Sequence, residues 1–282
     1  MMGGVPVTKN NPQYDEPPVR SVVLTVYYAP ISDLGLPLAL ELSKLWMGSY
    51  PAVSQETLRP RPPELPATSP FEGDSWPFPR IVQTDSTLSR AISYQFDQIS
   101  LRWTFDGGVQ ANKYPGFEEL FLELTNVYND FLQVVNKISE SHVIVQGCGC
   151  EYSNSFDATP PENWAVGFMT GWSSGIPDKS VVTGQNEVFI RFSGESAVDD
   201  VDKTYSVQAS RGKTHGSSIR IRATARYRSA DGSDSTATES VNEFAAVSVL
   251  MNSAHDLLIE KFESASSDSM KEEWGKHESS HA

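Results

Sequence analysis

The sequence predicts an α+β fold with mainly antiparallel strands, in two sheet-plus-helix halves. Three observations carry this. Short runs rich in β-branched and aromatic residues follow one another with turn residues between them, and few β-α-β spacings occur, so antiparallel neighbours are expected. A long amphipathic stretch interrupts the strands in the first half, and a second one closes the chain. The most regular strand is the arginine-bearing one: Ile219, Ile221, Ala223, Ala225 and Tyr227 alternate with Arg220, Arg222, Arg226 and Arg228. Period two puts one set on a buried face and the other on a wet face of the same sheet.

The elements follow in order. Residues 1–19 contain four prolines and read as a flexible leader. SVVLTVYYAP (21–30) is a strand ended by its proline. Pro37 suits the first turn of a helix running to about Tyr50, with Leu38, Leu42, Leu45 and Trp46 as its apolar stripe. Eight prolines in the 29 residues 51–79 predict an extended connection or exposed arm rather than a packed element. PRIVQT, LSRAISYQF and ISLRWTF read as three short strands closed by a turn at Asp106-Gly107-Gly108. From about Pro115 to Ser139, Phe117, Leu120, Phe121, Leu124, Val127, Phe131, Val134, Val135 and Ile138 recur at helical spacing, with Glu118, Glu119, Glu123 and Asn126 opposite. Residues 142–154 return as a strand, completing an N-terminal half over 20–154.

The C-terminal half, 155–276, reads as strands NWAVGFMTGW, EVFIRFS, TYSVQA, the arginine strand and EFAAVSVLM. Ser253 is then expected to cap a helix, AHDLLIEKFES, followed by a last turn pairing Met270 with Trp274 and ending at Gly275. The tail 277–282 is polar and expected to be disordered.

Four segments, VLTVYYAP, ISYQFDQISLRWTFDG, YPGFEELFLEL and AHDLLIEKFESASSDSMKEEWG, together resemble a sporadically distributed bacterial protein family of about 250 residues without a characterised activity. They run over about residues 20–276. The resemblance implies a prokaryotic, cytoplasmic protein, and patchy distribution implies a link to conflict or defence. It supplies no catalytic residues.

Composition narrows the function classes. The chain has 36 acidic against 22 basic residues, a formal net charge of −14, which disfavours nonspecific binding of nucleic acid or anionic membrane by the whole surface. No run of about 18 apolar residues is present, so no membrane-spanning helix is expected. Two cysteines, and an N-terminus without an apolar segment, make a reducing cytoplasm the expected compartment. No nucleotide-binding loop, dinucleotide fingerprint or zinc-protease motif occurs, and no cofactor is expected. Gly171-Trp172-Ser173-Ser174-Gly175 matches a nucleophile elbow by pattern, but Ile-Pro-Asp-Lys follows where a helix is required, so it reads as a loop. Cys148 and Cys150 lack the further ligands that tetrahedral zinc requires and read as small buried side chains beside glycines where a helix packs close. His255-Asp256 reads as part of a capped first helical turn.

The remaining candidate is the basic stretch Lys203–Ala230, with seven Lys or Arg and no acidic residue. Arg220, Arg222, Arg226 and Arg228, supplemented by Arg191, Arg211 and Lys213, could form an anion platform, since guanidinium presents a planar fork of donors to phosphate or carboxylate. The competing account pairs the arginines with carboxylates on neighbouring strands. With no coherent acid/base, nucleophile or metal set visible, the expected function is a non-enzymatic binding or interaction protein, its partner a protein or a small anionic ligand. Its groove would lie where the arginine face meets the long helix or the proline-rich arm. Two alternatives stand beside it: an enzyme acting on a phosphorylated or nucleotide substrate, and an antitoxin-like protein neutralising a basic partner.

Overall fold

A computed structural model of the chain describes residues 13–31, 34–67, 78–105, 113–138, 142–156, 189–198, 200–211, 217–228 and 243–277. At its centre is one nine-stranded antiparallel sheet. In chain order its strands are β2 (Val19–Tyr28), β3 (Ala52–Glu56), β4 (Arg80–Thr84), β5 (Arg90–Gln95), β6 (Gln98–Thr104), β7 (Val145–Phe156), β8 (Phe189–Val198), β9 (Val201–Arg211) and β10 (Ser217–Tyr227). Their order across the sheet is β3-β4-β5-β6-β2-β7-β10-β9-β8. The strands of the first and second parts of the chain therefore join in a continuous ladder at β2, β7 and β10. A separate ribbon pairs β1 (Gln13–Tyr14) with β11 (Lys276–His277).

Helices α1 (Leu36–Trp46), α2 (Phe117–Ile138) and α3 (Glu243–Ala265) pack on one face of this sheet, and the short α4 (Asp268–Glu273) follows. Alternation in the strands defines the packed face. Val22, Leu24, Val26 and Tyr28 of β2, Cys148, Cys150 and Tyr152 of β7, and Ile219, Ile221, Ala223 and Ala225 of β10 are all buried there. Tyr28 stacks on Phe131 of α2, with ring centroids 5.3 Å apart. Trp46 donates its indole N–H to Asp130 at 3.0 Å, which fastens α1 to α2. At 1.5 Å per residue the 22 residues of α2 reach roughly 33 Å, enough to cross most of the sheet.

Three expectations are corrected here. EFAAVSVLM is not a strand but the start of α3, which runs unbroken from Glu243 to Ala265, so Ser253 lies mid-helix and caps nothing. Val247, Leu250, Met251, Ala254, Leu257 and Leu258 are all buried, at the three- and four-residue steps of a helix lying on β7 and β10. Burial of that continuous stripe overrides the β-branched composition of its first turns. In α1, Leu45 is exposed rather than part of the stripe, and Ala39 takes its place beside Leu38, Leu42 and Trp46.

The third correction concerns the proline-rich stretch. Residues 52–56 form edge strand β3, paired with β4 and with all five side chains exposed. Residues 57–67 then cross the face of the sheet opposite the helices as a packed strap. Its backbone polar groups are taken up without regular structure: the Arg59 N–H donates to Gln95 Oε1 at 2.8 Å, and the Arg59 carbonyl accepts from Gln95 and Gln98 at 3.0 and 2.7 Å. Prolines leave fewer N–H groups to satisfy, so side-chain amides from β5 and β6 suffice. The expected strand at 163–172 and the Ser173 motif lie outside the described residues.

Candidate functional site

The arginine strand lies as its alternation requires, with Arg220, Arg222 and Arg226 on the strap side of the sheet. Register decides what they meet. Arg222 sits opposite Glu151 of β7 and Ser206 of β9, and Arg226 opposite Asp202 of β9. Arg222 donates from both Nε and Nη2 to Glu151 Oε2, at 2.8 and 2.5 Å. Arg220 Nε lies 3.6 Å from the other oxygen of the same carboxylate, and Arg59 reaches Glu151 from the strap at 3.3 Å. Three guanidinium groups thus converge on one carboxylate. Further along, Arg228 donates to Asp202 at 3.0 Å, and Arg226 stands 4.0 Å from it.

Of the two accounts weighed from sequence, the pairing with carboxylates on neighbouring strands is realised. Carboxylates do occupy the face, but the five arginines that meet there share only two. Glu151 is nearly buried, with its side chain 11% exposed, whereas Arg220 is 53% exposed. Burial works against the charge of Arg222, and the Glu151 carboxylate more than offsets it, so the guanidinium pKa lies above its ordinary value.

Strap residues complete the surface. Arg61 is deeply set: it donates to the Tyr28 carbonyl at 3.0 Å and to Gln146 at 2.8 Å, lies 3.7 Å from Asp97, and covers the Tyr27 ring at 5.7 Å. Burial lowers its pKa, with Asp97 opposing. Leu65 is buried over Gly147, where an added Cβ would stand 2.8 Å from Leu65 Cδ2 and 2.9 Å from the Ala225 carbonyl. The Tyr27 ring covers Gly149 in the same way. The glycines of Gly147-Cys148-Gly149-Cys150 thus make room for the strap and Tyr27, not for a helix. The cysteines point to the other side, where Cys148 Sγ lies 3.7 Å from the Val247 carbonyl of α3 and burial pushes both thiols well up from their ordinary pKa.

Of the other sequence candidates, Arg191 aligns with Gln208 and hence with Arg220 in the ladder, a register position on the arginine face. Arg211 aligns with Ser217, a position that alternates with Ala209 and Val207 on the helix side. Lys213 lies outside the described residues. The groove expected beside the long helix is not formed with α2, which packs on the opposite face; it is the proline-rich strap that meets the arginines. The sequence reading missed Arg59 and Arg61, although their alternation with Pro60 and Pro62 marked them as fixed cations in an extended segment. It also missed Arg102 of β6, exposed on this face and unpaired with any carboxylate among the described residues.

Two hollows border the strap. One, about 450 Å³, lies against Arg59, Arg61 and the β5–β6 turn. The other, about 350 Å³, lies between the strap and the β10-β9-β8 edge, with Glu64, Glu195, Asp202, Thr204, Thr224 and Arg226 in its walls. No helix of the described chain is long and apolar enough to cross a membrane. No family model matches this sequence, and no curated protein is significantly similar to it.

Proposed function

We propose that this chain is a non-enzymatic binding protein that meets an anionic group, on a small ligand or a protein partner, along the arginine face beside the strap. The observation that supports this best is the charge count at Glu151, one carboxylate shared by Arg59, Arg220 and Arg222. The carboxylate holds the guanidinium groups in fixed positions while leaving a surplus of positive charge, in a protein whose net charge is −14. Preorganised donors lose less side-chain freedom on binding than free surface arginines do. A prokaryotic cytoplasmic setting, with a role in conflict or regulation, belongs to the same proposal and rests on the four resembling segments.

The test is thermal stability in inorganic phosphate and pyrophosphate. Wild type should be stabilised increasingly as the anion concentration exceeds its Kd, with the logarithm of that ratio, and the partly exposed variants R220A and R226A should lose that shift. Variants that only melt earlier, with no anion shifting the wild type, would remove the proposal.

A further inference from the structure

The 350 Å³ hollow between the strap and the β10-β9-β8 edge has a wall of each charge and an unusual floor. Thr224, one of the residues lining the hollow, is 2% exposed, and its hydroxyl has no hydrogen-bond partner among the described residues. An orphaned hydroxyl at this depth is unfavourable in a native protein, and an incoming ligand atom would satisfy it. Around it, register brings Thr204 beside Thr224 and Glu195 beside Thr204, so the three stand in a row across β10, β9 and β8. Glu64 closes the hollow from the strap, its Oε1 accepting from the Thr204 hydroxyl at 2.7 Å.

The charged residues lining the hollow are Glu64, Glu195, Asp202, Lys203 and Arg226. Glu195 has no ion-pair partner among the described residues, and Glu64 keeps its second carboxylate oxygen. Arg226 is held only at 4.0 Å by Asp202, which Arg228 engages more closely at 3.0 Å. The acceptors Glu64, Glu195 and Thr224 match the three N–H donors of a primary ammonium. Arg226 offers a planar fork suited to a carboxylate. A volume of about 350 Å³ is at the lower end of small-molecule sites.

We infer that this hollow binds a small zwitterion of the amino-acid class, its ammonium taken by Glu195, Glu64 and the Thr224 hydroxyl and its carboxylate by Arg226. The inference rests on the proposed anion-binding role of the arginine face, and adds an ammonium-recognising half that the role does not require. The strap supplies Glu64, so the site is complete only with the strap docked.

The experiment titrates full-length protein with the free proteinogenic amino acids at millimolar concentration, followed by thermal shift and calorimetry. Each hit is compared with the matching amine that lacks the carboxylate and the matching acid that lacks the ammonium. The expected result is that at least one amino acid binds and both truncated forms fail. E195Q and R226Q should each weaken binding about tenfold or more, the loss expected for one charge-assisted contact. T224V, which replaces the orphaned hydroxyl by a methyl of the same shape, should weaken binding while leaving the melting temperature of the unliganded protein unchanged or higher. The inference is overturned if no amino acid binds, if amine or acid alone binds as well, or if E195Q binds like wild type. Phosphate stabilisation without amino-acid binding would leave the arginine-face proposal standing and remove this one. Amino-acid binding that R226Q leaves as tight as in wild type would also overturn the inference, since Arg226 would then not take the carboxylate.

Discussion

Replacing Glu151 by Gln removes one negative charge from beneath three guanidinium groups without changing side-chain shape. Its cost can be worked from the contacts. Arg222 makes two charge-assisted bonds to Oε2 at 2.8 and 2.5 Å, and Arg59 and Arg220 stand at 3.3 and 3.6 Å. Breaking a fully buried pair by removing one partner costs about 3–5 kcal/mol, whereas exposed pairs contribute about 0.2–1 kcal/mol. Glu151 lies near the buried limit but Arg222 is 33% exposed, so water recovers part of its solvation and the loss is discounted to about 2–3 kcal/mol. For a chain of 282 residues that is roughly 3–5 °C in melting temperature. Chemical denaturation of wild type, E151Q, R222M and the double variant gives the coupling directly. A coupling of about 1.5–3 kcal/mol is expected for a bidentate charged contact. If E151Q unfolds within about 0.5 kcal/mol of wild type, the ordinary range for surface substitutions, or if the cycle shows no coupling, Glu151 does not organise this face.

Other consequences are simpler to state. Gly147→Ala should destabilise by about 1–3 kcal/mol, since its new methyl meets both Leu65 and a backbone carbonyl, and limited proteolysis should then cut within residues 57–67. Leu65→Ala should open the strap to the same protease while costing about 2 kcal/mol, the low end for a buried leucine because the strap can relax. His255 is buried against Phe117, with ring centroids 3.6 Å apart, and desolvation lowers its pKa to about 3. A histidine whose folded pKa is depressed contributes its full stability above its unfolded pKa of roughly 6.5 and loses it between there and about 3. Between pH 6.5 and 4.5 the wild type should therefore lose roughly 2–3 kcal/mol more than His255→Phe does, by denaturant unfolding at each pH. Equal pH slopes would contradict the neutral, buried state of this ring.

Local pattern made much of the architecture legible. Strict alternation in β10 predicted a half-buried strand, and Ile219, Ile221, Ala223 and Ala225 are buried with the arginines opposite. The apolar steps from Phe117 to Ile138 predicted α2 within a residue or two at either end. The first turns of α3 were misread because Val247, Val249 and their neighbours have strand-like composition, although Val247, Leu250, Met251 and Ala254 already carry the helical period into the segment read correctly. What sequence could not show was non-local. Nothing in LRPRPPELP says that Arg59 reaches Glu151, 92 residues on, or that Leu65 fills the space left by Gly147. Nor does the alternation of β10 reveal which carboxylates lie opposite, because that depends on the register of β7 and β9. The candidate site was thus half visible: Arg220, Arg222, Arg226 and Arg228 could be read from one strand, while Arg59, the anions and the cover came from elsewhere.

The central claim, that Glu151 and Asp202 hold a surplus of arginines in place for an anion, is tested most directly by calorimetric titration of pyrophosphate into wild type and E151Q. Wild type should bind. E151Q, with Arg59, Arg220 and Arg222 no longer held by a shared carboxylate, should bind less tightly because its donors have lost their preorganisation, and both affinities should fall as salt is raised. Binding by neither protein, or binding by E151Q as tight as or tighter than by wild type, would contradict the account.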